Sequence, residues 1–344
     1  MSSIHVNRVD ISMSKSLKRR FSFVPTAGGA VVGSVSLHDK LGEAIDRWLY
    51  RVKLNSVKPS TFARLRGSYN LLIKYNVAYY RMMDLRTDDL QRFINQLVLD
   101  GYGMSTIKKA YNLLTAFLTY AIGDGLQIHP IHFNLSLPKE SNLTFEKRDV
   151  TAYDDTAQMC LRRVCEQVDD TSARAIIILL ETGMRIGELM ALDWSDILWS
   201  RRAVHIHKTL VDLNNKTKAY VQDTPKTKKS NRTIPLSSKA LSTLRKMFEA
   251  QEAPSGLIFN DGESDTTIGY NGLSDGCKSL CELAGVEWRG FHVLRHTFAT
   301  NCYYRGCDVK KLSQLLGHAS VTITYQIYIN LFGDCLEELR SIVE

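Results

Sequence analysis

Toward its C-terminus the chain holds several side chains that suit the chemistry of a phosphodiester. His292 and Arg295 are cationic hydrogen-bond donors, His318 follows the glycine of a tight turn, and Tyr325 and Tyr328 supply phenols. On a helix, His292 and Arg295 would lie one turn apart and point to the same side. The pattern His-x-x-Arg is also common on solvated helix faces, so its meaning depends on the elements that precede it.

Length, composition and charge narrow the class of protein. The 344 residues favour two domains, of about 100 and about 200 residues, over a single small one. A hydrophobic content of 44% and a charged content of 23% are typical of a globular protein with a sizeable core. The formal net charge is +8 and the pI is near 9.0. This balance favours an anionic partner, nucleic acid first, over a basic protein without such a partner.

The cysteines and the apolar segments indicate where the protein works. Seven cysteines form an odd set without a C-x-x-C pair, which argues against a disulfide scaffold and against a thiolate zinc site. No apolar run approaches the ~20 residues that span a bilayer. The N-terminus also lacks the apolar segment of a secretory signal. We therefore expect a soluble, cytoplasmic protein with no membrane partner.

The first part of the chain is predicted to be helical after a basic start. Residues 1–34 carry five basic side chains and one acid, which indicates either an arm on DNA phosphates or a disordered terminus. Residues 35–128 show helical periodicity throughout, and four helices of this length make a compact bundle. The four helices are predicted to begin near Ser36, Pro59, Thr87 and Ser105, with Ser36 and Ser105 as caps of the first and the fourth.

Basic side chains on this bundle are candidate contacts to a phosphate backbone. The candidates are Lys58, Arg64, Arg66, Lys108 and Lys109. A solvated helix face is the alternative interpretation for each of them.

A linker at residues 129–149 separates the bundle from a second domain at residues 150–344. In the linker the periodicity fails, and prolines and polar residues prevail. Beyond it the pattern again predicts mainly helices, among them a very apolar one from Ser172 to Thr182 that leads to Arg185. An arginine at the end of a buried helix lies where a charge needs a partner. We interpret Glu188 as a structural partner of the neighbouring basic groups.

Between the helices the hydrophobic period changes to that of strands. Residues 203–208 alternate, residues 219–221 are a plausible return strand, and a basic turn at 225–232 leads into a strand at 233–236. We predict a small three-stranded antiparallel sheet with a lysine-rich hairpin tip, and hence a mainly α (α+β) fold. The tail at 331–344 is predicted to be an amphipathic helix that needs a groove, in its own chain or in a neighbour.

Five motifs, in order, resemble the signature set of the tyrosine recombinases, the phage integrase family. The motifs are ETGMRIGEL, TPKTKKSNRTIPL, FHVLRHTFAT, LLGHASVTI and TYQIY. Residues 36–127 also resemble the helical core-binding domain of that family, so the resemblance covers essentially the whole chain. It implies a core-binding bundle at 35–128 that binds DNA, followed by a catalytic domain at 150–344.

The resemblance implies a covalent mechanism that needs neither a metal nor a cofactor. A tyrosine attacks the scissile phosphate and leaves a 3′-phosphotyrosyl bond and a free 5′-hydroxyl, so the bond energy is kept for rejoining. Two arginines neutralise the transition state, histidines donate or move a proton, and a lysine protonates the leaving oxygen. The matching residues are Arg185, Lys226, His292, Arg295, His318 and Tyr328.

Tyr328 and Lys226 each have neighbours that could take the same role. By resemblance, Tyr328, ten residues after His318, fits the nucleophile better than Tyr325, which we interpret as a packing residue. Lys226 fits the general acid better than the two lysines that follow it. Those two lysines and the next arginine are candidate DNA contacts instead: Lys228, Lys229 and Arg232.

His292 and His296 also have the i, i+4 spacing of a zinc-binding helix. Without a glutamate between them, and with Arg295 beside them to repel a cation, zinc is not favoured.

The resemblance also implies the partners. These are a duplex DNA recombination site and a synaptic homotetramer that exchanges strands through a Holliday junction, with the tail at 331–344 docked on a neighbouring protomer. Accessory DNA-bending proteins are left open. Two rival functions are a non-catalytic DNA-binding regulator on the same fold and a type IB topoisomerase. The intact residue set argues against the regulator, and the five-motif pattern is closer to the integrases than to the topoisomerases.

Overall fold

The computed structural model describes residues 35–126, 135–139, 152–211, 220–222, 231–252, 254–260, 269–318, 320–322 and 324. They form two compact units, of which the first comprises the described residues up to 139 and the second those from 152 onward. The basic segment at 1–34 and the tail at 331–344 lie outside the described residues. Within the described part, no helix is long and apolar enough to cross a membrane.

The described residues of the first unit form a helical bundle, as predicted. Its α-helices are α1 (Leu41–Trp48), α2 (Pro59–Lys74), α3 (Thr87–Leu99) and α4 (Met104–Gly123). A π-helical turn continues α1 over Leu49–Lys53, and a 3₁₀ turn spans Val77–Tyr79. The core of the bundle includes Leu41, Leu72 and Phe117, which are fully buried.

Two of the predicted helix starts in the bundle follow from local chemistry. Pro59 is the first residue of α2, where its missing N–H would have had no helical partner in any case. At the start of α3 the Asp89 carboxylate accepts a hydrogen bond of 3.0 Å from the Arg86 backbone N–H.

The predicted caps at Ser36 and Ser105 are wrong. α1 begins after Lys40 and α4 begins after Gly103, and neither residue caps its helix with a side chain. The Ser36 hydroxyl accepts a 3.2 Å hydrogen bond from the His38 N–H instead, so it closes a turn ahead of α1. A serine near a helical pattern can therefore stabilise the preceding turn rather than the helix.

The second unit is mainly helical. Its α-helices are α5 (Asp155–Val168), α6 (Thr171–Thr182), α7 (Ile186–Met190), α8 (Ser238–Glu249), α9 (Tyr270–Leu283), α10 (Phe291–Tyr304) and α11 (Val309–Leu316). Helix α6 packs against α5, α8, α9 and α10, and Ile176 and Leu179 on it are fully buried. A helix that is apolar all round needs partners on every side, so the prediction of a buried helix is confirmed.

Glycine at position 183 is required by the way α6 ends. Gly183 has a φ of +62°, in the left-handed region. A Cβ atom there would lie 2.2 Å from Cδ1 of Phe298. The close approach brings the end of α6 against α10.

The second unit contains two small antiparallel sheets. The strands are β1 (Ile197–Leu198), β2 (Ala203–Ile206), β3 (Thr209–Val211), β4 (Tyr220–Gln222) and β5 (Arg232–Pro235). One sheet has the order β1-β2-β5, which confirms the predicted three-stranded antiparallel sheet, and β3 pairs with β4 in the other.

The assignment of residues 219–221 to the three-stranded sheet is wrong. Val204 of β2 pairs with Ile197 on one side and Ile234 on the other, so neither edge of β2 is open to β4. β4 pairs with the strand that follows β2 instead.

The last turn of α11 determines where the chain places His318. The Gly317 N–H donates to the Gln314 carbonyl at 3.0 Å, and the His318 N–H donates to the Ser313 carbonyl at 3.1 Å. Gly317 has a φ of +65°. This is the Schellman arrangement, in which a glycine in the left-handed region ends the helix. His318 is thereby held directly beyond the helix end.

Candidate active site

Arg295 is buried on α10 and points at two helix ends. Its Nη1 donates to the Gly183 carbonyl at 2.8 Å, and its Nη2 donates to the Leu316 carbonyl at 2.6 Å. Both carbonyls lie where a helix leaves its last C=O groups without helical partners, and the negative end of the helix dipole favours a cation there. The guanidinium group is therefore fixed in position before any ligand arrives.

Arg185, the residue that precedes α7, contacts the same end of α11 as Arg295. Its backbone N–H and its Nη1 both donate to the Glu188 carboxylate, at 2.8 and 2.9 Å, and its Nη2 donates to the Gly317 carbonyl at 3.1 Å. The side chain is 38% exposed, so part of the guanidinium group faces solvent. The structure thus brings Arg185 and Arg295, which are 110 residues apart in sequence, onto neighbouring carbonyls.

A third arginine, Arg232, binds the carbonyl of Leu315, the residue before Leu316 and Gly317. Arg232 Nε donates to the Leu315 carbonyl at 2.6 Å, so the end of α11 offers three consecutive carbonyls to three arginines. We call the backbone of Leu315, Leu316 and Gly317 the carbonyl turn.

Glu188 is the buried anion of this site and joins two of the arginines. Arg232 donates from Nη1 and Nη2 to its two oxygens at 3.0 and 2.8 Å, and Arg185 donates from its side chain and backbone. Burial alone would raise the pKa of Glu188, but the hydrogen bonds and charge of Arg232, followed by the charge of Arg185, outweigh it and hold that pKa below the usual value. The interpretation of Glu188 as a partner of nearby basic groups agrees with these contacts.

His292 and His296 lie one turn apart on α10, beside Arg295. Their rings meet edge-on, with centroids 4.9 Å apart and an interplanar angle of 84°. Loss of hydration lowers the pKa of His292, and the charges of Arg295 and Arg185 lower it further. Burial, followed by the charges of His292 and Arg295, lowers the pKa of His296 to about 4. Both rings are therefore neutral at pH 7 in the absence of an anion.

His318 is nearly buried and has one ring nitrogen engaged. Its Nδ1 lies 2.8 Å from the Thr324 hydroxyl oxygen, and Thr324 is fully buried. Burial, then the charges of Arg295 and Arg185, lower the pKa of His318 to about 3. Nε2 is left as the nitrogen that can serve a ligand, as acceptor or donor according to the tautomer.

Four of the six predicted catalytic residues thus lie around the carbonyl turn: Arg185, His292, Arg295 and His318. Lys226 and Tyr328 lie outside the described residues, as does the competing Tyr325. Among the described residues, no group of three or more histidine, cysteine, aspartate or glutamate side chains is placed to hold a metal ion.

The predicted DNA contacts fall into two groups. Lys58, Arg64, Lys108 and Lys109 are exposed on the first unit. Lys228 and Lys229 lie outside the described residues.

Arg66 and Arg232 do not fit the expectation of a DNA-facing cation. Arg66 pairs with Asp46, with only 18% of its side chain exposed, and only 6% of the Arg232 side chain is exposed. Each of these two arginines is paired with a carboxylate, Arg66 with Asp46 and Arg232 with both oxygens of Glu188, so the geometry argues against a DNA contact by either one.

Three features of the site are not visible in the motif pattern. One is the carbonyl turn, although the Gly-His pair after an apolar helix is a signal for a Schellman ending. Another is Thr324, whose hydroxyl holds His318. The third is the burial of Arg232, which depends on contacts to residues 44 and 83 positions away in the sequence.

Residues 153–333 match the phage integrase family, and residues 40–98 match the N-terminal SAM-like domain of phage integrases. The chain belongs to the phage integrase family. A XerC-like tyrosine recombinase of Caldanaerobacter subterraneus subsp. tengcongensis is 29% identical over 314 residues, or 85% of this chain and 79% of the relative. The transposase from transposon Tn916 of Enterococcus faecalis is 24% identical over 302 residues, or 83% of this chain and 73% of the relative.

Solved structures of integrases share the fold at lower identity. The Tn1549 transposon integrase in complex with a circular intermediate DNA has a TM-score of 0.70 at 19% identity, over 84% of this chain and 95% of that one. A lambda integrase in a tetramer bound to a Holliday junction has a TM-score of 0.62 at 18% identity, over 86% of this chain and 78% of that one. The predicted family and fold class are confirmed. The chain is a tyrosine site-specific recombinase, and the regulator and topoisomerase alternatives are not favoured.

Proposed function

We propose that this recombinase cleaves and rejoins duplex DNA at a recombination site through a 3′-phosphotyrosyl intermediate. The observation that carries the proposal is the convergence of Arg185 and Arg295 on the carbonyl turn, with His292 and His318 beside them. Two guanidinium groups fixed at one place offer paired N–H donors to the non-bridging oxygens of a phosphate. Such donors favour the transition state because they need no reorganisation when its extra charge develops.

In the proposed reaction, the Tyr328 hydroxyl oxygen attacks the scissile phosphorus. The bond from phosphorus to the 5′ oxygen breaks, and Lys226 gives its proton to that oxygen, leaving a 5′-hydroxyl. The strand stays attached to the protein by a 3′-phosphotyrosyl ester of similar energy, so a 5′-hydroxyl from the partner duplex can reverse the step without an energy source.

The histidines supply neutral polar groups beside the arginines. His318 is bonded through Nδ1 to Thr324, and a proton on Nδ1 leaves Nε2 free to accept the phenolic proton. A bound phosphate anion offsets the arginine charges that lower the pKa of His318, so the substrate itself makes the ring a better base. His292, exposed on the first turn of α10, donates to a phosphate oxygen.

The assembly follows from counting strands. Each protomer supplies one nucleophile and cuts one strand, while exchange between two duplexes requires four cuts. We therefore propose a homotetramer on DNA that exchanges strands in two steps through a Holliday junction. The tail at 331–344 would dock on a neighbouring protomer, and accessory DNA-bending proteins are further candidate partners. The proposed location is the cytoplasm.

The domain boundaries are proposed as the sequence predicts them. They are a basic segment at 1–34, a core-binding domain at 35–128, a linker at 129–149 and a catalytic domain at 150–344. The exposed Lys58, Arg64, Lys108 and Lys109 of the core-binding domain are the proposed phosphate contacts.

A nicked duplex tests the reaction class. A binding site is first selected from random duplex DNA, and a nick near the cleavage point then lets the 5′-hydroxyl fragment escape. The proposal predicts a covalent protein–DNA adduct that survives denaturation. No adduct on any selected site would favour the non-catalytic regulator, and relaxation of supercoiled plasmids regardless of sequence would favour the topoisomerase.

A further inference from the structure

The carbonyl turn receives three arginines, and the proposed reaction uses only two of them. Arg185 and Arg295 are placed to hold the scissile phosphate, whereas Arg232 has no part in that chemistry. Arg232 is the first residue of β5, the strand that follows the segment containing Lys226. Its contacts show what the third arginine does.

The guanidinium group of Arg232 is committed to protein acceptors. Its Nε donates to the Leu315 carbonyl at 2.6 Å, and its Nη1 and Nη2 donate to Glu188 at 3.0 and 2.8 Å. All three nitrogens therefore point at protein atoms. Because both Nη atoms are paired with the Glu188 carboxylate, the charge of Arg232 is balanced within the protein and is not directed at a DNA backbone.

Glu188 transmits the position of Arg232 to Arg185. One carboxylate oxygen accepts from Nη1 of both arginines, at 2.9 Å for Arg185 and 3.0 Å for Arg232. The other accepts from the Arg185 backbone N–H and from Arg232 Nη2, both at 2.8 Å. The carboxylate thus joins two groups that would otherwise repel, and with 4% exposure the solvent screens these interactions only weakly.

Arg232 also touches the second support of Arg185, the Gly317 backbone. A Cβ atom on Gly317 would lie 3.0 Å from Arg232 Nη1 and 3.2 Å from its Cδ and Cζ atoms. The guanidinium group therefore packs directly against Gly317, whose carbonyl accepts from Arg185 Nη2 at 3.1 Å. Both groups that orient Arg185 are in contact with Arg232.

We propose that Arg232 is a positioning residue for strand cleavage, which orients Arg185 by fixing Glu188 and the carbonyl turn together. The proposal rests on the proposed function, because it concerns the orientation of Arg185 toward the scissile phosphate. It replaces the assignment of Arg232 as a DNA contact.

The test compares DNA binding with the rate of adduct formation for Arg232→Met in the full chain. The wild-type rate is measured in a single turnover with saturating protein on the nicked duplex. Misplacement of a catalytic group by about 1 Å costs on the order of 10²-fold in rate, and we expect a fall of that size. The Kd for the site and its dependence on salt should stay within about two-fold of wild type, because no phosphate contact is lost.

Two matched variants separate a positioning role from the general loss of an ion pair and from the loss of a phosphate contact. Arg162→Met removes the ion pair with Glu181 elsewhere in the second unit and should leave the rate unchanged. Lys108→Ala removes a proposed phosphate contact and should lower the slope of log Kd against log salt by about 1, a change in slope that Arg232→Met should not show. The double variant Glu188→Gln/Arg232→Met should be no more than about ten-fold slower than the slower single variant, because both changes act through one linkage.

A crystal structure of Arg232→Met gives a readout that does not depend on activity. We expect the Arg185 guanidinium group to leave the Gly317 carbonyl. The positioning role would be overturned if Arg185 does not move in Arg232→Met, if this variant cleaves at the normal rate, or if its salt slope is reduced. It would also be overturned if the loss of rate is explained entirely by a loss of thermal stability. A wild-type chain that forms no adduct would instead remove the proposed function, whatever the variant structure shows.

Discussion

Each unit contains an arginine that the sequence assigns to the DNA surface and that the structure pairs with a carboxylate. In the first unit, Arg66 of α2 pairs with Asp46 of α1 and lies over the rings of Tyr50 and Tyr69, with its Cζ atom 5.4 and 4.9 Å from their centroids. The pair remains partly solvated, at 18% and 33% side-chain exposure. The ion pair joins α2 to α1.

The pair of Arg232 and Glu188 in the second unit is buried on both sides, at 6% and 4% exposure. Its carboxylate is shared with Arg185, and its arginine also holds the end of α11. The same two chemical groups therefore join two helices in one unit, and in the other they contact Arg185, the arginine that we propose to be catalytic. The difference lies in what else the carboxylate and the arginine hold, and in how far water is excluded.

The largest effect on the cleavage rate is expected at Arg295, which is buried and contacts the carbonyl turn. Arg295→Lys keeps the charge but loses the planar pair of donors that spans Gly183 and Leu316. We expect the single-turnover rate of adduct formation to fall by about 10²–10³-fold. The matched change Arg66→Lys in the first unit should leave the rate unaltered. Equal rates for the two variants would mean that cleavage depends no more on Arg295 than on Arg66.

The second prediction concerns stability. Glu188→Gln leaves two guanidinium groups without their buried anion and should lower the free energy of unfolding by about 3 kcal/mol. Asp46→Asn removes a partly solvated partner and should cost at most about 1 kcal/mol. Urea denaturation at pH 7 measures both. Losses of the same size would mean that the two pairs are equivalent.

Acid should lower the free energy of unfolding of the second unit through protonation of His318 in the unfolded chain. Its pKa is about 3 in the folded chain and near 6.5 when unfolded, so below pH 6.5 the unfolded chain binds a proton that the folded chain does not. Stability is therefore lost as the pH falls. Between pH 7 and pH 5 the wild type should lose on the order of 2 kcal/mol more than His318→Gln, as measured by urea denaturation. Parallel losses would show that His318 is not held neutral.

The smallest expected effect is on the salt dependence of DNA binding. It distinguishes the paired Arg66 from the exposed Lys109 in the first unit. Arg66→Met should leave the salt dependence of DNA binding unchanged, because Arg66 is committed to Asp46 and the tyrosine rings. Lys109→Ala removes an exposed charge and should reduce the salt slope by about 1. Fluorescence anisotropy over a salt series measures both slopes. A reduced slope for Arg66→Met would restore that residue to the DNA surface.

What the sequence predicts depends on how local the deciding interaction is. Pro59 and Asp89 mark helix starts through neighbours within three residues, and the Gly-His pair at 317–318 marks the end of α11. The pairing of β4 and the burial of Arg232 are decided by contacts between distant segments. A basic residue in a basic turn gives no local sign that a buried glutamate 44 residues upstream will pair with it.

The identity of the nucleophile is the sharpest test of the proposed mechanism. The adduct formed on the nicked duplex is digested with protease, and the peptide that carries the nucleotide is sequenced by mass spectrometry. We predict that the nucleotide is attached to Tyr328, that Tyr328→Phe abolishes the adduct and that Tyr325→Phe retains it. An adduct on Tyr325, or one that persists in Tyr328→Phe, would contradict the mechanism.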